Sequence, residues 1–497
     1  MKTKRFLTLL TVFSIPFLAL MSRADDFNAV QNGNWSDPNT WVDNTVVTNG
    51  IVPGAADSVD VPLGITVTVD TNASVGSIYD SGTVIMGTNS SLNVFSDSSI
   101  ATTISFTATN YGNTVIYSCN PFDARALNYY NLVLANTNWT GFKPPYTVYE
   151  FFNNFNANGI SPTPMTIAGD LTLMGYVRME QGTDGPGVSS DVTIGGNLII
   201  GAHCAYESSG ANLLVSSNVY VYGCLDDRNA ALGSTTIGGN VLVSGPTNST
   251  PNYTGGFYTN GWHVSDVTSW YVGGSLTNNG AIYGNGYGSI SFNGTGVITG
   301  SNALTIPTMT VNGTYAIADS ITLITNTPTL NGTLVFDLAR TNMITLRYAP
   351  TTWGTNTTLT NYYSGNLVIV NSGSAPASGN SFKFFSASNY AGTFTTTTYP
   401  PLAPGLSWVD NSLVNGSYAV TGVALGSPTL TISRSGVTLT LTWDSTTYPG
   451  FHVWAQTNSA GVHPNSSWFP TGSGTVSPYP TTINPAGPPV FYRLSNQ

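Results

Sequence analysis

Charged side chains are scarce in this chain of 497 residues. Asp, Glu, Lys and Arg make up 7% of the sequence, against about a quarter in a typical soluble protein. There are 13 basic and 23 acidic residues, which gives a net charge of −10. The mean hydropathy is only +0.06, because Thr, Ser, Asn and Gly take the place of the missing charges. So few cations exclude nucleic acid and anionic lipid as partners, since both require a basic binding surface.

Long apolar runs are also missing, with one exception at the N-terminus. There the basic segment MKTKR precedes the apolar run FLTLLTVFSIPFLAL, and the small residues of SRA end at Ala24. This order is typical of a secretory signal peptide, so we predict that residues 1–24 are removed. The mature chain would carry a net charge of 9 − 23 = −14. No later apolar run reaches about 18 residues, so we expect a secreted or cell-surface protein with no transmembrane helix in the mature chain.

Helix signals are nearly absent, and the chain has only three cysteines. Alternating β-branched runs recur instead, as in ITVTVD and GVTLTLTW, and this alternation is typical of half-buried strands. With 53 glycines and 11% aromatic residues, the composition indicates an ordered all-β protein. Cys119, Cys204 and Cys224 are too few for a disulfide framework.

A repeat determines the predicted fold. Five segments, MTIAGDLTL, VTIGGNLII, LLVSSNVYV, TTIGGNVLV and WYVGGSLTN, align on the polar residue before their second short strand. These polar residues are Asp170, Asn197, Asn218, Asn240 and Ser275, at intervals of 27, 21, 22 and 35 residues. A base period near 21–22 residues with insertions predicts a right-handed parallel β-helix. We expect the asparagines at coil corners, with a preceding glycine at positive φ.

The same alignment places one apolar residue of each coil directly after the polar one. We expect these residues to point inward and to stack on one another: Leu171, Leu198, Val219, Val241 and Leu276.

The residue composition and the strand pattern change along the chain, and these changes predict its domain organisation. Thr, Asn and Tyr dominate after the repeats fade, and clean alternating strands return near GSPTL. About 70 residues with two well-spaced tryptophans suffice for a small β-sandwich. The predicted segments are a signal peptide (1–24), an N-terminal cap (25–60), a β-helix (61–340), a β-rich closing unit (341–425) and a C-terminal β-sandwich (426–497).

Several motifs resemble those of secreted bacterial β-solenoid proteins, namely the autotransporter-associated β-strand repeat or passenger-like proteins. GNWSDPNTW followed by VPGAADSVDVPLGITVTVD resembles their opening unit, and the IGGNL coils fit the body. The segment from GNSFKFF to NGSYAV is similar to their closing unit. The terminal stretch from LTLTWDS to VFYRL resembles a small sandwich on many exported proteins of environmental bacteria. The resemblance implies an architecture and identifies no reaction.

Two tryptophans, Trp35 and Trp41, lie among turn-forming residues close to the predicted cleavage site. The end of a solenoid exposes an apolar cross-section and unpaired strand edges. We therefore expect the tryptophans to cover that end. The alternative is a sugar-binding aromatic pair.

The densest charged cluster, Asp226, Asp227 and Arg228, is a candidate for catalysis on acidic glycans. Neighbouring residues on an extended strand face opposite sides, so the two carboxylates act together only in a loop. A corner where Arg228 pairs with an aspartate is the structural alternative.

The segment HCAYE brings His203, Cys204 and Glu207 together, one coil before Cys224. It lacks the third group that a Cys–His nucleophile or a metal site needs. Cys204 and Cys224 are therefore expected to be buried and stacked, or joined by a disulfide.

No metal or cofactor is predicted from a motif. Calcium at aspartate-rich corners, for example at Asp57, Asp60 and Asp184, is left open, although no calcium-binding nonapeptide repeat is present. The remaining histidines, His263, His452 and His463, show no spacing signal.

An aromatic stretch between Tyr253 and Tyr287 is the candidate ligand surface. We single out Tyr258, Trp262, Trp270 and Tyr271, which lie among Gly and Asn with Asp266 as the one charge of the stretch. Flat aromatic faces beside amides suit a neutral sugar. The alternative is that these rings pack against the solenoid flank.

Together these features predict a secreted structural or adhesive β-solenoid protein, such as an adhesin or an extracellular-matrix component, without catalytic activity. Its expected partners are neutral polysaccharide, other cell-surface material or further copies of itself. The alternative function is carbohydrate binding, or polysaccharide degradation by a lyase or hydrolase. A lyase for acidic glycans needs a basic groove, and nine basic residues in the mature chain supply little of one.

Overall fold

The structure is a computed structural model in which strands make up nearly all of the regular structure. It describes residues 24–495 except for 47–49, 96–104, 119–121, 124–127, 137–148, 153–163, 176, 182–190, 203, 209–211, 227–232, 245–260, 267–268, 287, 325–327, 348–358, 425, 427, 449, 458–460, 463–467 and 472–476. The chain divides into two compact units. The first contains residues up to Tyr315 and Thr322–Asn326, and the second contains Ala316–Ile321 and Thr327–Gln497.

Parallel strands, stacked coil upon coil, build the first unit. Most of them belong to three sheets, which we call the long sheet, the second sheet and the third sheet. The long sheet contains, within this unit, Asn72–Val75, Ser91–Val94, Thr114–Tyr117, Asn131–Asn136, Leu171–Gly175, Leu198–Ile200, Val219–Val221, Val241–Val243, Leu276–Asn278 and Thr295–Gly300. The second sheet contains Met165–Ile167, Val192–Ile194, Leu213–Val215, Ser234–Ile237, Ser269–Val272, Ser289–Phe292 and Thr308–Val311. The third sheet contains Phe122–Asp123, Tyr149–Phe152, Val177–Gln181, Ala205–Ser208, Cys224–Asp226, Gly261–Asp266 and Ile282–Gly286.

From Asn131–Asn136 to Ser289–Phe292 the chain visits the long sheet, the third sheet and the second sheet in turn, so each coil of this segment adds one strand to each of them. This order is that of a parallel β-helix, and it confirms the predicted fold class. Parallel strands of this kind require connections that return to the same end of the sheet, which the corners and insertions of each coil provide. Leu304–Ile306, Thr314–Ile317 and Ile321–Leu323 are further strands of the chain.

The predicted inward residues stack as expected. The register pairs Leu171 with Leu198, Leu198 with Val219, Val219 with Val241, and Val241 with Leu276. All five are at most 1% exposed. Burial of one aliphatic side chain per strand contributes about 1.5–3 kcal/mol each, so this column is a main source of stability for the stack.

Two smaller sheets contain the N-terminal strands. One has the order Trp41–Asp43, Asp26–Ala29, Ser58–Asp60, Ser77–Tyr79, and the other contains Gly33–Asn34, Thr66–Val69, Thr83–Met86 and Ser105–Thr107. All of their pairs are parallel except the first, because Trp41–Asp43 runs antiparallel to Asp26–Ala29. An antiparallel strand therefore occupies the outer edge of the first sheet, and a short 3-10 helix, Pro38–Thr40, precedes it.

In the second unit, parallel pairing continues past residue 340. Thr333–Asp337, Asn366–Val370 and Thr396–Thr398 pair in that order, and the inner positions Leu334 and Leu367 lie directly opposite each other. The other elements here are Thr329–Leu330, Ile344–Leu346, Thr360–Tyr363, Phe385–Ser386, Asn389–Gly392, the antiparallel strands Ser381–Lys383, Leu406–Asn411 and Ser417–Gly422, and one helical turn, Ser412–Asn415.

Two antiparallel three-stranded sheets follow at the C-terminus. One contains Thr431–Ser435, Thr438–Thr442 and Tyr479–Thr482; the other contains Phe469–Pro470, His452–Thr457 and Val490–Ser495. Leu441, Trp443 and Val453 are buried between them, with Tyr492 and Leu494 packed against this cluster. The two sheets share one core, so this part of the chain is the small β-sandwich that the sequence predicts.

The inward column gives a direct test of the fold. We expect Leu198→Asp to lower the free energy of unfolding by about 3 kcal/mol or more, because an unpaired carboxylate would be buried in a dry stack. The neighbouring Ile199 points outward and is half-buried, so Ile199→Asp is the matched control and should cost clearly less. Denaturant unfolding of both variants measures the difference. Equal losses would contradict the inward and outward assignment.

Candidate functional site

Polar side chains form a hydrogen-bonded ladder along the corner between the second sheet and the long sheet. Its members are Asn131, Asp170, Asn197, Asn218, Asn240 and Ser275. In each step, an Oδ1 atom accepts the backbone N–H of the corresponding residue in the next coil. The N···O distances are 2.6–3.2 Å, and the shortest joins Asn197 N to Asp170 Oδ1.

The amide groups of the ladder add a second set of bonds. Asn218 Nδ2 donates to Asn197 Oδ1 at 3.1 Å, and Asn240 Nδ2 donates to Asn218 Oδ1 at 3.1 Å. The Oδ1 atoms of Asn197 and Asn218 thus each accept two bonds from the next coil, and one of the two comes from a backbone N–H at the corner. The predicted corner positions of Asn197, Asn218 and Asn240 are correct, whereas Asn131 is not part of the sequence alignment. We call this set the corner ladder.

The glycines before the corner ladder serve a different purpose from the one expected. None of Gly196, Gly239 and Gly274 is among the glycines with positive φ, so the predicted left-handed backbone is wrong. A Cβ atom at Gly239 would lie 2.6 Å from Ser217 O and 2.7 Å from Asn218 Oδ1. Glycine is needed here because the corner of the preceding coil approaches so closely.

A second, shorter ladder lies at the corner before the second sheet. Asp191 Oδ1 accepts the backbone N–H of Asn212 at 2.9 Å, and Asn212 Oδ1 accepts that of Ser234 at 3.1 Å. These residues are one coil apart, so side-chain oxygens bridge successive coils at two of the corners.

The N-terminal tryptophans are core residues. Trp35 and Trp41 are each 1% exposed, and their rings meet edge to face with centroids 5.0 Å apart. Trp41 Nε1 donates to Trp35 O at 3.0 Å, and Trp35 N donates to Thr68 O at 2.7 Å. The sugar-binding alternative is therefore wrong, because neither ring is accessible, and the pair instead anchors the N-terminal segment to the strand Thr66–Val69.

Asp70 adds a polar anchor to the same segment. Its Oδ1 accepts the Ser36 N–H at 3.0 Å and its Oδ2 accepts the Ser36 hydroxyl at 2.5 Å. Partial burial alone would raise the pKa of Asp70, but the bonds from Ser36 outweigh it and hold the pKa below its ordinary value. The charged form of this carboxylate is thus the one that fastens the segment.

Of the four residues of the predicted aromatic ligand surface, the structure describes the side chains of Trp270 and Tyr271. Trp270 is fully buried and points into the coil, so the prediction of a glycan contact is wrong for this residue. Tyr271 points outward from the second sheet and is half-buried. Trp262 lies in a strand of the third sheet, paired with Leu225 and Ile282. Its side chain and the whole of Tyr258 lie outside the described part of the chain.

Cys204 and Cys224 are both buried, and no disulfide joins them, so the disulfide alternative is wrong and the buried alternative is correct. The register pairs Cys224 with Ala205, which puts the cysteines one position out of step. Cys204 Sγ lies 3.3 Å from Gly175 O. Burial raises the pKa of the Cys204 thiol to about 11, so this thiol stays protonated at neutral pH and is a poor nucleophile.

Only some of the charged candidates lie among the described residues. Asp226 ends a strand of the third sheet, while Asp227, Arg228, His203 and Asp184 lie outside the described residues. Asp57 accepts the backbone N–H groups of Asp25 and Gly54. Partial burial, and then the charges of Asp80 and Asp26, raise the pKa of Asp60. Among the described residues, no group of three His, Cys, Asp or Glu side chains is placed to hold a metal ion.

Sequence analysis missed the outward side of the long sheet. Ile199, Tyr220 and Leu242 occupy one outward column there. The repeat alignment contains the signal, because these residues directly follow the inward Leu198, Val219 and Val241.

Comparison with known proteins gives no match: no family model, no curated protein and no solved structure is significantly similar to this chain. The fold therefore defines the class, a parallel β-helix protein. The likeness to passenger-like solenoids rests on the sequence motifs alone. In the described part of the chain, no helix has the length and apolar character needed to cross a membrane.

Removing one rung tests the corner ladder. We expect Asn218→Ala to lower the free energy of unfolding by about 1–2 kcal/mol, because the Asn240 N–H loses its acceptor and the Asn197 oxygen loses a donor. Ser216→Ala, at an exposed position of the same corner, is the control and should be nearly neutral. Denaturant unfolding provides the comparison. A loss at Asn218 no larger than that at Ser216 would show that the ladder contributes nothing.

The anchor at Asp70 predicts a pH dependence. Its folded-state pKa is lowered, so its contribution to stability is present above the unfolded-state pKa and is lost as the pH falls through the folded value. We therefore expect Asp70→Asn to reduce the melting temperature at about pH 6, where carboxylates are ionised. The reduction should be smaller at about pH 3, within the range in which carboxylates titrate. Ser36→Ala should reduce the same pH dependence. A deficit that is constant across this range would contradict the assignment.

Proposed function

We propose that this protein is an exported structural or adhesive solenoid that acts at the cell surface or in the extracellular matrix, without catalytic activity. The observation that carries the proposal is the corner ladder. Side-chain bonds repeat from coil to coil over Asn131 to Ser275 and supplement the backbone pairing of all three sheets. A stack cross-linked in this way suits a rigid spacer or scaffold.

The two ends of the chain add support. Residues 1–24 have the order of a secretory signal peptide, and the buried Trp35–Trp41 pair fastens the segment that follows. The C-terminal sandwich has a core of its own. The sequence motifs resemble those of passenger-like solenoids, which are expected to lie outside the cell.

Carbohydrate binding is the second candidate function. The specific observation in its favour is the presence of outward tyrosines on two sheets, Tyr220 on the long sheet and Tyr271 on the second. Both lie on surfaces with few charges, and tyrosine combines a flat apolar ring with a hydroxyl.

Fractionation of the source cells, with N-terminal sequencing of the product, tests the main proposal. We expect the protein outside the cytoplasm, beginning at Asp25 because Ala24 precedes the predicted cleavage site. A disruption of its gene should reduce attachment or matrix cohesion. Retention in the cytoplasm with residues 1–24 intact would contradict export. Release of new sugar ends from purified polysaccharides by the protein would contradict the absence of catalysis.

A further inference from the structure

One column of outward side chains on the long sheet is unusually apolar. We call it the outer row, and its members pair across six successive strands: Ile116, Val133, Thr172, Ile199, Tyr220 and Leu242. All six are half-buried, and five of them are apolar or aromatic. Six coils at about 4.8 Å per strand give the outer row a length of roughly 24 Å along the stack.

The surroundings of the outer row are neutral. On one side lies the corner ladder, with the amides of Asn197, Asn218 and Asn240. On the other side lie Met174, which is 42% exposed, and Tyr222. Among the described residues at this edge, the one charged side chain is that of Asp170, whose Oδ1 accepts the N–H and the Nδ2 of Asn197.

The second sheet shows that an apolar outward column is not a general property of the coils. Its corresponding outward column is mostly hydroxylic and contains, in order, Thr166, Thr193, Leu214, Thr236 and Tyr271. A chain this rich in Thr, Ser and Asn could fill the outer row in the same way. Contiguous apolar surface on a soluble protein marks an interaction site more often than scattered residues do.

The dimensions and the charge of the outer row distinguish between three kinds of partner: another protein, a charged polymer and a neutral polymer. A stable protein dimer buries about 800 Å² and 20–30 residues on each side, whereas the outer row with Met174 and Tyr222 offers eight residues in a narrow strip. A charged polymer finds no opposite charge there. The partner that fits this surface is a thin, uncharged polymer. The apolar faces of its sugar rings would contact the tyrosines, and its hydroxyls would bond to the amides of the corner ladder.

We propose that the outer row binds a neutral polysaccharide chain that runs along the solenoid axis, with Tyr220 as its central contact. This inference rests on the proposed extracellular function and names the class of material to which the solenoid attaches. Tyr222 lies beside Tyr220, and partial burial together with that neighbour raises the pKa of Tyr222. Because side chains alternate along a strand, Tyr222 faces the same side as Tyr220 and lies across the solenoid axis from it, beside the same sugar.

The test uses the chain from residue 25 onward and a panel of probes. Cellulose, chitin, xylan, mannan and β-1,3-glucan are the neutral polymers, and polygalacturonate is the acidic one. We expect at least one neutral polymer to retain the protein and polygalacturonate not to retain it. Tyr220→Ala should raise the Kd for that polymer about tenfold or more, as for other central aromatic contacts. Tyr362→Ala, at an exposed tyrosine of the strand Thr360–Tyr363, is the matched control and should leave the Kd unchanged.

Melting temperatures of both variants guard against misfolding, and Leu242→Ser provides a second, milder change in the outer row that should also weaken binding. Unchanged binding in Tyr220→Ala and Leu242→Ser, or loss of binding only in the control Tyr362→Ala, would overturn the proposal. So would a dimer in sedimentation experiments that Leu242→Ser dissociates. If no neutral polymer retains the protein although fractionation finds it outside the cell, the outer row assignment fails while the proposed function stands.

Discussion

Pairing between successive coils at one fixed spacing is the constraint on which the rest of this structure depends. Each strand must offer its backbone groups to the coil before and to the coil after, so the inward residues of all coils fall in columns, as Leu198, Val219 and Val241 do. The same spacing brings Asn218 within reach of Asn197. It also leaves no room for a Cβ atom at Gly239. Core, corner ladder and glycine positions are thus three results of a single repeat distance.

The sequence predicts the fold well because equivalent positions of successive coils carry the same types of residue. Alignment on Asn197, Asn218 and Asn240 identifies the inward column without error, since side chains alternate strictly along a strand. It does not reveal why glycine precedes them. Positive φ and a close approach between coils both select glycine, and only the coordinates distinguish the two.

The candidate site is harder to predict because it depends on which side of the strand a residue occupies. Tryptophan is a residue type that often contacts ligands, yet Trp270 lies in the same inward column as Thr235 and Ile290. Tyr271, one residue later, points outward. Cys204 and Cys224 lie in successive coils, as their spacing predicts. The register nevertheless pairs Cys224 with Ala205, one position after Cys204. Insertions between repeats hide such displacements, so spacing alone cannot settle which side chains meet.

The corner ladder also bears on how the chain changes over generations. An asparagine in this position donates to an identical residue in the preceding coil and accepts from one in the next. A coil of 21 or 22 residues that begins and ends on such a residue could be duplicated or deleted without leaving an unmatched polar group at either junction. Length is then a trait that selection can alter in whole steps, with each step carrying its own inward leucine or valine and its own outward side chain.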